Sequence, residues 1–472
     1  MKRIVVLIII LSTLVFSSTF DLKYGGNAVE HGFDVQRTTD SGFILAGGTN
    51  SSGSGLYDGY LIKTDSTGTV EWEEVIGSAS NEYFIKVRQT SDEGIIALGI
   101  KNIIYNYPYL TCDPWLAKYD KNGKFKWEKI FTEADVFHIV NDFIIAEDEG
   151  FLLLGSKKTS TGTYDAWLMK ADSSGSLIWE QVYDGGNYDE GRSIINDFSG
   201  GYLLTCNSTR YFSIALKDQV WGIFVDQNGN VITQNIINNS SDDKYCQSVC
   251  ATSDSCYVIT GNINPEMLPP SYIGEYNQGL YLLKLNSLFS TEWIQYYNSD
   301  QVRSGKSCIE VNDGGFTILG TASAGSDPEN IWLVKTDSSG DLIWERYYGS
   351  YLDDTGSGNI IQLADNSLVL CGTADIASDS SSSQINLIKT DSNGYVIYPP
   401  VITSFGNDSN NVSINWEAVS NAGSYIVYGS DRPDSNFTAI DTTAVNLWNT
   451  SVTDSLKKKF YYIKASTNNF SK

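Results

Sequence analysis

The chain has 472 residues, 41% of them hydrophobic and 19% charged, and its 32 basic against 56 acidic side chains leave a net charge of −24 at pH 7. That length holds two or three domains, with apolar content ample for their cores. A surface so acidic repels phosphate backbones and anionic lipid headgroups, which argues against nucleic acid as a partner; calcium would suit it, but no motif indicates a metal or any other cofactor.

The first element is Met1-Lys2-Arg3 followed by an apolar run from Ile4 to Phe16, broken only by Ser12 and Thr13. The run is too short to cross a bilayer and has the flanks of a secretory leader. Residues 1–17 are therefore expected to be a signal peptide cut after Ser17, with Val15 and Ser17 at the small-residue positions. No Cys follows the cut, so a lipid anchor is not expected, and no later segment is long and apolar enough to span a membrane. The mature chain is expected to be exported, secreted or held at the cell surface, and monomeric.

From Phe20 to Tyr398 the chain repeats itself. Each repeat opens with a strand and a hairpin of pattern D-G-G-F-I-L-x-G, seen from Asp40, Asp92, Asp148, Asp313 and Asp365, with degenerate copies from Ser199 and Asp254. Each closes on a phrase such as W-L-x-K-x-D-x-x-G-x-x-x-W-E, whose marker falls at Asp65, Asp120, Asp172, Asp226, Asn286, Asp337 and Asp391. Gly in these turns supplies positive φ and Asp caps the turn amides, so turn chemistry accounts for both without a metal. Apolar runs of strand length flank both turns, giving four strands per unit. A period near fifty in short strands is the signature of a β-propeller, so the fold class is all-β, a seven-bladed β-propeller of four-stranded blades. Phe20 to Gly26 matches the stretch from Trp344 onward, so this N-terminal strand is expected to complete the last blade and remove a free sheet edge.

Nine Trp keep to two repeat positions. Trp72, Trp127, Trp179, Trp293 and Trp344 share one, while Trp115, Trp167, Trp221 and Trp332 share the other, as expected of residues packed between blades. A Lys recurs two residues before the marker, at 63, 118, 170, 284, 335 and 389, which suggests a repeated structural ion pair. Long connections at Lys101 to Cys112, Asn207 to Asp218 and Asn262 to Gln278 are where recognition would evolve on a rigid scaffold. Tyr105, Tyr107 and Tyr109 in the first, with Tyr272 and Tyr276 in the third, are the candidate ligand-binding residues, either stacking on a sugar or peptide or packing down their own loops. Seven Cys do not follow the repeat; Cys250 and Cys256 flank the turn at Ser253-Asp254 and are either a cross-hairpin disulfide or two buried thiols.

After Pro399-Pro400 the pattern changes. Val412 to Trp416 alternates, followed by Ser424 to Tyr428 and Phe460 to Ala465. Residues 399–472 are read as a small β-sandwich similar to a fibronectin type III domain, with Trp416 in its core and Tyr461 or Tyr462 near the later strand. Residues 18–398 are the propeller.

The alternation of D-G-G-F-I-L-x-G with W-L-x-K-x-D-x-x-G-x-x-x-W-E resembles a family of exported bacterial and archaeal propeller repeat proteins, often followed by fibronectin-type modules. That resemblance covers roughly residues 20 to 398. It implies a secreted or surface location and carries no shared catalytic residues.

Chemistry leaves few marks. His31 and His138 occupy non-equivalent places, and no G-x-S-x-G or nucleotide-binding fingerprint occurs. Carboxylates pair at Asp189-Glu190, Asp242-Asp243 and Asp353-Asp354, but acids recur at these connections in nearly every repeat, including Glu30, Glu82, Asp135 and Asp300, which points to a structural role. The chain is expected to be a non-catalytic binding or adhesion protein for a glycan or protein ligand. The alternative is an extracellular polysaccharide-active enzyme built on paired carboxylates.

Overall fold

The structure is a computed structural model that describes residues 19–106, 109–133, 136–158, 162–212, 215–237, 243–264, 279–297, 302–323, 328–377, 381–397, 400–407, 411–419, 422–430, 438–451 and 460–466. The described chain is all strand and turn. It divides into two compact units, the larger holding Leu22–Leu363 and Val369–Leu387 and the smaller including Ile388–Lys472.

Strand β1 (Phe20–Tyr24) is followed by a four-stranded antiparallel meander of β2 (Glu30–Arg37), β3 (Phe43–Thr49), β4 (Asp58–Thr64) and β5 (Val70–Ile76). The next meander comprises β6 (Tyr83–Gln89), β7 (Ile95–Asn106), β8 (Tyr109–Tyr119) and β9 (Phe125–Ile130). It is joined to β10 (His138–Ile145), β11 (Phe151–Lys158), β12 (Tyr164–Ala171) and β13 (Leu177–Tyr183) through the single pair His138↔Cys112. Then come β14 (Tyr188–Asn196), β15 (Tyr202–Phe212), β16 (Ala215–Val225) and β17 (Val231–Ile237). They are followed by β18 (Asp243–Ala251), β19 (Tyr257–Asn264), β20 (Leu280–Leu285) and β21 (Thr291–Tyr297). Another meander holds β22 (Val302–Glu310), β23 (Phe316–Ser323), β24 (Asn330–Thr336) and β25 (Leu342–Tyr348). The last sheet contains β26 (Asp354–Thr355), β27 (Ile360–Gln362), β28 (Leu368–Asp375) and β29 (Ser383–Lys389), and its outer place is taken by β1, in the order β1-β29-β28-β26.

The repeated residues explain the repeated sheet. In the tight turn before the fourth strand, one side-chain oxygen receives two backbone amides: Asp65 from Thr67 and Thr69, Asp120 from Asn122 and Lys124, Asp172 from Ser174 and Ser176, and Asn286, through its amide oxygen, from Leu288 and Ser290. The turn then needs a left-handed residue, and Gly175 supplies it at φ 78°. The recurring Lys spans the sheet to the Asp of the first turn, with Nζ–O distances of 2.8 Å for Lys63–Asp40 and Lys118–Asp92, 2.5 Å for Lys170–Asp148 and Lys284–Asp254, and 2.9 Å for Lys335–Asp313. Each pair ties two hairpins together along one edge of its sheet.

The two sets of Trp do different jobs. Trp115, Trp167, Trp221 and Trp332 on the third strands are fully buried in the layers between sheets. Trp72, Trp127, Trp179 and Trp293 on the fourth strands are half-buried and lie against the turn glycines of the following sheet, Gly123, Gly175, Gly229 and Gly340. A tyrosine closes the same junction: the hydroxyls of Tyr183 and Tyr297 donate to the carbonyls of Gly229 and Gly340. Tyr24 of β1 donates to the carbonyl of Gly68 at 2.6 Å in the same manner.

In the smaller unit, β30 (Ile402–Asn407), β31 (Asn411–Trp416), β32 (Ser424–Ser430), β33 (Thr438–Thr443), β34 (Leu447–Ser451) and β35 (Phe460–Ser466) form two three-stranded antiparallel sheets, ordered β30-β31-β34 and β33-β32-β35. Their alternating inward residues, Val412, Ile414 and Trp416 from one and Tyr425, Val427, Tyr461 and Ile463 from the other, share one core with Trp448. Trp416 meets Tyr425 edge-on at 5.1 Å between ring centroids.

Candidate functional site

The first strands of the successive sheets carry one irregularity at one place. The ladder between first and second strands shifts between Gly32 and Asp34, Phe84 and Lys86, Val140 and Asp142, Gly191 and Ser193, Cys246 and Ser248, and Gly305 and Ser307. Each shift is a β-bulge whose extra residue is skipped by the ladder register: Phe33, Ile85, Asn141, Arg192, Gln247 and Lys306. All six line a single cavity of about 600 Å³ bounded by β2, β6, β10, β14, β18, β22 and β27. In the last sheet the same place holds Ser357 and Gly358, which also line it.

The residue after the bulge stitches neighbouring sheets together. Asp34 accepts from the amides of Val35 and, across the junction, Val87, and it pairs with Arg88 at 2.7 Å. Asp142 accepts from Phe143, Ile194 and Ser193 Oγ. Asn359 Oδ1 accepts from the Ile360 amide and from Ser307 Oγ at 2.6 Å. These bonds hold the bulges in place, so the scaffold is repeated while the bulge side chains differ. A repeated backbone with varied side chains makes this cavity the candidate site.

The cavity has two chemistries. On β2 and β6 the bulge residues are Phe33 and Ile85. Phe33 continues outward into a half-buried aromatic cluster: edge-on to Tyr83 at 5.9 Å, stacked with His31 at 5.9 Å, with Tyr57 5.1 Å from Tyr83 and 5.6 Å from His31. Burial lowers the pKa of His31 below its ordinary value, so it stands neutral among these rings at pH 7. From β14 to β22 the bulge residues are donors. Arg192 pairs with Glu190 at 2.7 Å through Nη1, and its Nη2 donates to Gln247 Oε1. Asn141 Nδ2 donates to Glu190 and to the Gly191 carbonyl.

The paired carboxylates do not converge. Glu30, Glu82, Asp189 and Asp354 are fully buried and cap the connections that precede them: Glu30 receives the Gly26 amide, Glu82 that of Ser78, Asp189 those of Gly185 and Gly186, and Asp354 that of Ser350. Glu190, next to Asp189 on the strand, turns to Arg192, as alternation along a strand requires. Asp135, Asp242 and Asp300 lie outside the described residues. Among the described residues, the carboxylates close enough to share a cation are Asp165, Asp184 and Asp189, with oxygens within 4.8 Å of one another, and Asp189 there already holds two loop amides.

Of the expected ligand tyrosines, Tyr107, Tyr272 and Tyr276 lie outside the described residues. Tyr105 and Tyr109 sit on the extended β7–β8 hairpin, paired in register with Leu110 and Asn106. The expected pair Cys250 and Cys256 is not what the register brings together. Cys250 stands opposite Val258, because Cys256 lies inside the turn, and the Sγ nearest to Cys250 is that of Cys308 on the neighbouring first strand, at 3.9 Å. Burial pushes the thiols of Cys112 and Cys246 up to about 12 and about 11, so neither is a nucleophile at neutral pH.

Successive four-stranded antiparallel meanders, bounding one cavity with their first strands, define a protein of β-propeller type. One solved structure agrees with this at the level of fold. A puromycin hydrolase is 10% identical, with a TM-score of 0.50 over 83% of this chain and 59% of its own length. A protein of unknown function from Dyadobacter fermentans is 11% identical, with a TM-score of 0.44 over 78% of this chain and 97% of its own. A Hadza microbial sialidase, 11% identical, has a TM-score of 0.39 over 70% and 73%. No protein-family model matches the chain, and no curated protein matches its sequence. Among the described residues no helix is long and apolar enough to cross a membrane.

Proposed function

We propose that the chain is an exported seven-bladed β-propeller followed by a fibronectin type III-like sandwich, and that it is a non-catalytic binding or adhesion protein taking a glycan at the cavity. Six copies of the Asp-x-x-Gly phrase, a seventh degenerate copy from Asn286 to Phe289, and the outer place of β1 in the last sheet support the blade number. The observation that carries the binding reading is the ring of bulge residues, identical in backbone and different in side chain, with aromatic rings at its apolar side. Aromatic faces stack on the apolar faces of sugar rings while amides and hydroxyls take up sugar hydroxyls. The capping role of the recurrent acids favours this reading over a carboxylate-based polysaccharide enzyme.

A glycan and cell-wall polysaccharide array tests it. Saturable retention without product release is expected, weakened about three- to tenfold by Phe33→Ala or Tyr83→Ala, in line with the loss of one aromatic contact. Released products would move the reading to the enzyme. Retention indifferent to both substitutions, or retention of a protein alone, would sink it.

A further inference from the structure

Two thiols meet on the wall of the cavity. Cys250 on β18 and Cys308 on β22 belong to the first strands of successive sheets, and both residues line the cavity. Their sulfurs are 3.9 Å apart. The Cys308 sulfur also lies 3.7 Å from the carbonyl oxygen of Val258, the residue that stands opposite Cys250 in its own sheet. Two contacts thus fix that sulfur over one spot of the neighbouring sheet. The Cys256 sulfur is held elsewhere, 3.8 Å from the Asp254 carbonyl and 3.8 Å from the Glu292 carboxylate. A disulfide bond is about 2.05 Å long, so Cys250 and Cys308 need to approach by about 2 Å, a distance that rotation about their Cα–Cβ bonds covers.

We propose that Cys250 and Cys308 are a modification site, a thiol pair that closes to a cystine between neighbouring sheets when a low-molecular-weight disulfide enters the cavity. Both are free thiols in this structure, and Cys250, the half-buried one, meets the oxidant first. Its thiolate attacks one sulfur of the disulfide, which gives a mixed disulfide and releases one thiolate. The Cys308 thiolate then attacks Cys250 Sγ, forms the new S–S bond and displaces the second thiolate. The two cysteine protons pass through solvent to the two released thiolates, and two electrons reduce the oxidant to a pair of thiols. The hydrogen bond to Cys250 and burial hold the Cys308 thiol well above its ordinary value, so the second attack is favoured at alkaline pH. The cystine joins residues 58 apart in sequence, which restricts the unfolded chain and staples two strands of the cavity wall together. The proposal is independent of what the cavity binds.

Incubation of the full, fully reduced chain with bis(2-hydroxyethyl) disulfide at about pH 8.5 tests it, followed by acid quenching, a thiol count in denaturant and peptide mapping by mass spectrometry. The count is expected to fall from seven to five, with one cystine mapped to Cys250 and Cys308, and dithiothreitol is expected to restore all seven. In Cys308→Ser the reaction is expected to stop at the first step, leaving one hydroxyethylthio group on Cys250. Cys256→Ser is expected still to lose two thiols. A count that stays at seven in the unaltered chain, or a cystine mapped to any other pair, including Cys250 with Cys256, overturns the proposal. So does a Cys256→Ser chain that no longer forms the cystine. The count and the map in the unaltered chain decide the matter even where a serine variant fails to fold.

Discussion

The carboxylate of Asp142 accepts hydrogen bonds from the amide of Phe143 on its own strand and from the amide of Ile194 and the hydroxyl of Ser193 on the neighbouring sheet, with Arg88 at 3.7 Å. The residue is 6% exposed. Asp142→Ala leaves two amides without their acceptor, and at about 1–3 kcal/mol for each the loss of stability should be about 2–6 kcal/mol. Asp142→Asn, which keeps a carbonyl oxygen, should lose less. Urea denaturation midpoints of the two variants decide it, and equal losses would mean that charge toward Arg88 matters more than the amides. The same scale explains the cysteines: sequence separation suggested Cys250 with Cys256, whereas the neighbour of Cys250 is set by the packing of β18 against β22.

At the scale of the element, the junction between sheets is a tryptophan laid over a turn glycine. Gly175 has φ 78°, and a Cβ there would stand 2.8 Å from the Trp127 ring and 2.7 Å from Lys129. Gly175→Ala therefore combines backbone strain with a clash and should cost about 1–3 kcal/mol in thermal or chemical unfolding. An unchanged midpoint would show that the junction yields. The strands themselves were legible in the sequence, because Asp-rich turns recur at a fixed period and the apolar runs between them have strand length. The cavity was not legible in that way, since a bulge leaves no mark in the alternation of polar and apolar residues. It does leave a mark in spacing: Phe33, Ile85, Asn141, Arg192, Gln247 and Lys306 each stand seven residues before the turn position held by Asp40, Asp92, Asp148, Ser199, Asp254 and Asp313. Attention to long tyrosine-bearing loops led instead to residues whose side chains lie outside the described structure, apart from the hairpin register of Tyr105 and Tyr109.

At the scale of the whole molecule, repetition multiplies small electrostatic effects. The Lys118 ammonium and the Thr90 hydroxyl hold the Asp92 carboxyl at about 2, and Lys284 and Thr252 do the same for Asp254, against an ordinary 3.8; Lys170 lowers Asp148 in the same direction. Burial lowers His31 and His138 below 6.5. In every case the folded group binds its proton less readily than the unfolded one, so the stabilisation is full above the ordinary pKa and is lost as pH falls through the folded value. Melting temperature should therefore decline in two stages on acidification, first below about pH 6.5 as the histidines are forced to charge, then between about pH 4 and 2 as the turn aspartates protonate. Asp354, raised by burial, works in the opposite sense and blunts the second stage. Calorimetric scans from pH 8 to 2 check this, and a melting temperature that rose on acidification would contradict it.

The outer place of β1 in the last sheet has a temporal meaning. Gln384 reaches the carbonyl of Gly26 and Ser383 reaches that of Glu30, contacts that span 358 and 353 residues of chain. Every other sheet of the larger unit is assembled from neighbours in sequence and is free to form as soon as its own stretch has emerged. This one has to wait for two distant stretches to find each other, and closing so long a loop costs more chain entropy than closing a hairpin. The order of assembly is thereby written into the connectivity: local sheets first and the clasp last, with β29 carrying an unpaired edge for as long as the clasp stays open.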